Sequence, residues 1–119
     1  MENNLPDFPG IDNQTGLTMT GGKPDFFLKM LNKFANSYTN AAADITQMVT
    51  DGDFESAVIK AHSIKGVAGT LGAKALHALA GDLESALKSD PQNVDAELFQ
   101  KFSNELTLVT EGIKANSPN

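Results

Sequence analysis

Residues 57–71 leave this chain little freedom in how it folds. An α-helix turns by about 100° per residue. Wound at that pitch, Ala57, Ile64, Val67, Ala68 and Leu71 share one arc of about 100°, an apolar stripe of the width a core-facing helix needs. His62, Lys65, Gly66 and Gly69 fall on a second arc, nearly opposite the first. The run therefore reads as an amphipathic helix whose polar face carries a histidine, a lysine one turn further on, and two glycines. Packing offers no reason for that polar face, whereas a reactive site does.

Each mid-helix glycine costs about 1 kcal/mol relative to alanine, so Gly66 and Gly69 weaken the helix that displays His62. Side chains at i+3 and i+4 are the ones that crowd a residue on a helix surface. Glycine at 66, four residues after His62, opens the space beside the imidazole to another molecule, and Gly69 extends the opening. A glycine can also end a helix, but here the apolar stripe stays in phase through Leu71. The other histidine, His77, tests the logic. It too has a glycine at i+4, Gly81, but at i+3 it has Ala80 where His62 has Lys65. The lysine separates the two histidines; the glycine does not. His77 reads as solvated or partly packed.

The remaining chain supplies further helices and no strand. Residues 1–11 contain Pro6, Pro9 and Gly10 and form an extended lead-in or linker, from which Leu5, Phe8 and Ile11 can reach the protein body. Asp12 caps a short helical stretch ending near Met19, before Gly21 and Gly22. Pro24 suits a first helical turn, and Phe27, Met30, Leu31 and Phe34 follow at helical spacing, with Phe26 broadening the stripe. The weak helix formers at 36–40 predict a bend or break. Helix resumes over 41–49, with Ala42, Ile45 and Val49 in phase, and stops at Asp51–Gly52.

Asp53 caps the central helix, predicted over 54–71. Gly72–Ala73 is a tight link of the kind that joins antiparallel neighbours. Leu76, Leu79, Ala80, Leu83 and Leu87 line a helix over 74–89, closed by Pro91. Asp95 caps a last helix carrying Leu98, Phe102, Leu106 and Val109, which fades near Gly112, and residues 115–119 form a flexible tail. The predicted architecture is all-α: an up-and-down antiparallel four-helix bundle over 12–114, with a short N-terminal helical extension.

Bulk properties narrow the function classes. A chain of 119 residues supports a single core without staples. It has no cysteine, and no apolar run approaches the length of a membrane span. A net charge of −6 disfavours nucleic acid, whose binding relies on basic side chains neutralising phosphates. His62 and His77 lie on different predicted helices with no matched carboxylate motif, so no metal site is expected. Glu84, Glu97, Glu105 and Glu111 read as solvated charges. No glycine-rich nucleotide loop is present to support an autonomous kinase.

The residues Ala61, His62, Ile64, Lys65, Gly66, Ala68, Leu71, Gly72 and Ala73 together resemble the signature of histidine-containing phosphotransfer (HPt) domains of two-component phosphorelays, with isoleucine at 64 where leucine is commoner. The resemblance implies that residues 24–49 act as one long kinked helix of the bundle. It also implies a phosphocarrier, not an enzyme in its own right. His62 would accept a phosphoryl group from a receiver-domain aspartyl phosphate and pass it to another receiver aspartate. Lys65 would stabilise the phosphoryl oxygens, Gly66 and Gly69 would give steric access, and Val58 and Ile59, one turn before His62, would join the docking surface. No cofactor of its own is expected, since any Mg²⁺ would belong to the receiver. The expected partners are response-regulator receivers, met by a cytoplasmic monomer that is either free-standing or part of a hybrid histidine kinase. The competing reading is a helical module that docks a receiver or kinase through the same face without taking phosphate.

Overall fold

Polar caps set where the helices of this protein begin. In the computed structural model, which describes residues 5–117, six helices follow one another: α1 (Asn13–Met19), α2 (Pro24–Tyr38), α3 (Ala41–Thr50), α4 (Phe54–Leu71), α5 (Lys74–Ser89) and α6 (Ala96–Asn116). Residues 1–4 of the lead-in and 118–119 of the tail lie outside the described residues. The carboxylates of Asp12, Asp53 and Asp95 accept backbone N–H groups at the starts of α1, α4 and α6, satisfying donors that a helix start leaves open. Gly72 ends α4 with φ 85°, a left-handed conformation that costs a residue without Cβ little. A single 3₁₀ turn, Pro91–Asn93, links α5 to α6. The described residues contain no strand, so the chain is all-α.

The broken pair α2–α3, then α4, α5 and α6, form the walls of the bundle: α4 packs on α3 and α5, α5 on α6, and α6 back on α2. The core is built from the predicted stripes meeting in the middle, except that in α6 Phe99 and not Leu98 packs against it. Phe27, Phe102, Ile64, Leu76, Leu83 and Ile113 are all fully buried. At about 25 cal/mol per Å² of apolar surface, this burial is the main term holding the bundle together.

Several elements differ from expectation. Phe26 is 46 % exposed instead of broadening the α2 stripe, because Phe27, about 100° further round, takes the core position. The helix runs through Asn36 and Ser37, and the break falls at Thr39–Asn40, where the Thr39 hydroxyl bonds the Ala35 carbonyl. Gly112 does not end α6. A Cβ there would lie 2.6 Å from the ring of Pro9, so the glycine is a notch into which the N-terminal segment packs. The helix continues through buried Ile113 to Asn116, so Ala115 and Asn116, read as tail, are helical. The described part of the lead-in is correspondingly fixed: Phe8 is buried, and the Asp12 N–H donates to the Gly72 carbonyl at 2.8 Å.

Candidate functional site

The site forms where the polar arc of α4 meets the edge of the α5 stripe. Ala61 and Ile64 are fully buried, which turns His62 outward with its side chain 69 % exposed. Its Nδ1 lies 3.0 Å from Oε2 of Glu84 on α5. Glu84 was read as a solvated charge; it is instead a buried residue, 7 % exposed. Lys88, one turn further along α5, places Nζ 3.2 Å from the same Oε2. Burial, the largest single influence, pushes the Glu84 carboxyl up. The hydrogen bonds from Lys88 and from His62, with the charges of both, outweigh burial and hold the group below the usual carboxylate range.

An ionised carboxylate can only accept hydrogen bonds. Glu84 therefore assigns the proton to Nδ1 of a neutral His62 and leaves the lone pair on Nε2, the nitrogen on the far side of the ring. A buried carboxylate thus sets both the tautomer and the aim of an exposed ring.

The glycines divide into open and filled positions. A Cβ at Gly66 would meet no heavy atom within 4 Å, so the space beside His62 is clear. At Gly69 a Cβ would come within 2.9 Å of His77 Nδ1. Gly69 thus makes room for the His77 ring, not for a visitor to His62. From that seat the His77 Nδ1–H donates to the Lys65 carbonyl at 2.8 Å. Across the same helix pair, the aliphatic stem of Lys65 passes 3.5 Å from where a Gly81 Cβ would stand. Lys65 is half-buried by this contact, and its ammonium has no carboxylate within ion-pair distance among the described residues.

On its other side His62 borders a groove walled by Met30 and Tyr38 of α2 and by Ser63, Gly66, Val67 and Thr70 of α4. Val67, expected in the core stripe, is half-buried and lines this groove. Next to it, Tyr38, Ser63 and Ile59 border a second depression with Met48 of α3, and Ile59 is 57 % exposed. Val58 is half-buried and packs on the core. Among the described residues no three His, Cys, Asp or Glu side chains gather as a metal site, and no helix is long and apolar enough to cross a membrane.

Glu84, Lys88 and the α2 wall were not singled out by sequence reasoning. Glu84 had left a signal: it follows Leu83 at the edge of the α5 stripe and has a lysine at i+4, the pattern of a carboxylate about to be half-covered.

The family model of the Hpt domain matches residues 29–112, from the first third of α2 to near the end of α6. The chain belongs to the Hpt domain family. Its role is accordingly histidine phosphotransfer in phosphorelays, with receiver domains as partners. No curated protein and no solved structure matches the chain. The matched part of this Hpt domain contains His62, Lys65, Glu84 and Lys88, while α1 lies outside it.

Proposed function

We propose that this Hpt domain carries its phosphoryl group on Nε2 of His62, taking it from a receiver aspartyl phosphate and giving it to the aspartate of another receiver. The observation that carries this reading is the 3.0 Å hydrogen bond from His62 Nδ1 to Glu84. In the forward step the Nε2 lone pair attacks phosphorus. The P–O bond to the donor aspartate breaks, and the electron pair leaves on the carboxylate. The ring becomes a cationic phosphoimidazole, and Glu84, facing the Nδ1 proton, offsets the charge. In the return step the acceptor carboxylate attacks phosphorus, the P–N bond breaks, and the pair goes back to Nε2. No proton needs to leave Nδ1 in either direction, which suits a carrier that must run both ways.

Catalysis of such transfers is mainly positioning and charge compensation. Lys65 supplies a cation one turn from His62, on a stem guided by the Gly81 notch. Gly66 leaves the in-line approach to Nε2 open. Met30, Val67 and exposed Ile59 offer the apolar surface on which a receiver docks transiently, and half-buried Val58, one turn before His62, adds to the docking face. The Mg²⁺ that receiver chemistry uses belongs on the partner's side. The test is transfer from a phosphorylated receiver. The wild-type domain takes up acid-labile label, and His62→Gln takes up none; label on the His62→Gln protein would refute the assignment.

A further inference from the structure

One oxygen atom, Oε2 of Glu84, serves two donors. It accepts from His62 Nδ1 at 3.0 Å and from Lys88 Nζ at 3.2 Å, while its side chain is only 9 % exposed. Lys88 does not line the groove; its side chain is 62 % exposed and its ion-pair partner among the described residues is Glu84. Of the other polar residues on this surface, Lys65 follows one turn along α4, and Tyr38, Ser63 and Thr70 line the groove that His62 borders.

We propose that Lys88 is a positioning residue that sets the lifetime of the phosphorylated histidine by tempering the pull of Glu84 on the Nδ1 proton. The inference rests on His62 being the phosphorylated residue. Loss of the phosphoryl group to water shows why the proton matters. Water oxygen attacks phosphorus, the P–Nε2 bond breaks, and its electron pair returns to Nε2; the water gives a proton to solvent and inorganic phosphate departs. A ring that keeps its Nδ1 proton leaves as neutral imidazole. A ring that has lost it must leave as imidazolate, a far poorer leaving group. The bond therefore breaks more readily the more firmly Nδ1 holds its proton.

Glu84, anionic and shielded from water, stabilises the protonated, labile ring. Lys88, bonded to the same oxygen, withdraws part of that stabilisation and prolongs the phosphorylated state. The two residues act in opposite directions on one proton.

Opposite signs make the test decisive. The 15N-labelled domain is phosphorylated with phosphoramidate, and the His62 ring 15N resonances report both the Nδ1 proton and the decay of the phosphorylated form. With Lys88→Met, decay accelerates roughly two- to fivefold, the range an ion pair of this kind commands. With Glu84→Gln, whose amide oxygen still accepts from Nδ1 but carries no charge, decay slows. Lys88→Arg restores a rate near wild type. Because Lys88 is exposed, its replacement leaves no cavity, and the Lys88 variants alone decide the matter if Glu84→Gln folds poorly. An unchanged decay rate in Lys88→Met, or shifts of the same sign in Lys88→Met and Glu84→Gln, would overturn the proposal. Phosphoramidate loading needs no receiver, so a failure here is distinct from a failure of receiver-dependent labelling.

Discussion

His62 and His77 have nearly the same local sequence surroundings and opposite tertiary ones. Each sits on a long helix with glycine four residues later. Each presents Nδ1 to an acceptor on the neighbouring helix, at 3.0 Å for His62 and 2.8 Å for His77. The acceptor for His62 is an ionised carboxylate, which can compensate a cationic ring. The acceptor for His77 is the neutral Lys65 carbonyl, which fixes the ring in place and offers no such compensation. The i+4 glycines also part company: the space at Gly66 is open, whereas that at Gly81 is bordered by the Lys65 stem, 3.5 Å from where a Cβ would stand. On the proposed reading a histidine becomes reactive through what the partner helix places around it, while across the same helix pair the other histidine bonds a neutral carbonyl.

The largest effect that could break this contrast is an exchange of roles. Receiver-dependent labelling should survive His77→Gln in full, in contrast to its loss in His62→Gln. A substantial fall in His77→Gln labelling without a change in fold would place His77 in the transfer itself. Next in size is Gly66→Leu, which fills the open approach and should slow transfer on the order of tenfold or more. Leucine is the better helix former, so circular dichroism should show helicity held or raised. An undiminished transfer rate would show that clearance at Gly66 is unimportant.

Gly69→Val probes the seat of His77. Its new Cβ would stand 2.9 Å from His77 Nδ1, so the exposed ring must swing out and lose its bond to the Lys65 carbonyl, a cost of about 0.5–1.5 kcal/mol in a denaturant titration. If the Gly69→Val protein were as stable as wild type, the His77 ring would not be seated where it stands. The smallest effect is on acid stability. The folded Glu84 carboxyl titrates below its ordinary value of 4.5, so folding disfavours its protonation. Its contribution is complete above that value and is lost as pH falls through the lowered one. Glu84→Gln should therefore flatten the stability profile in that acid window. An equally steep acid limb in Glu84→Gln would remove Glu84 as the source.

Much of the bundle was legible because its signals are local. The limits of α4 and α5 follow from Asp53, Gly72 and Pro91, and their buried faces from the 3.6-residue period. Legibility ended where a residue's surroundings come from another helix. Spacing placed Phe27 in the stripe, but whether Phe26 beside it is also covered depends on how far the neighbouring helices wrap α2. Gly112 resembles a helix end until Pro9, more than a hundred residues earlier, fills its notch. Gly69 was read as opening space for a visitor, a role the His77 ring has already taken.

Glu84 sharpens the division most. The chain by itself determined that α4 is an amphipathic helix with His62, Lys65 and Gly66 on its polar arc, since periodicity and capping act within a few residues. Only the tertiary structure decided that α5 brings a carboxylate and a lysine to the back of that histidine. Burial, hydrogen bonding and the proton's place on Nδ1 depend on distances of about 3 Å between helices, and such distances exist only once the core has closed.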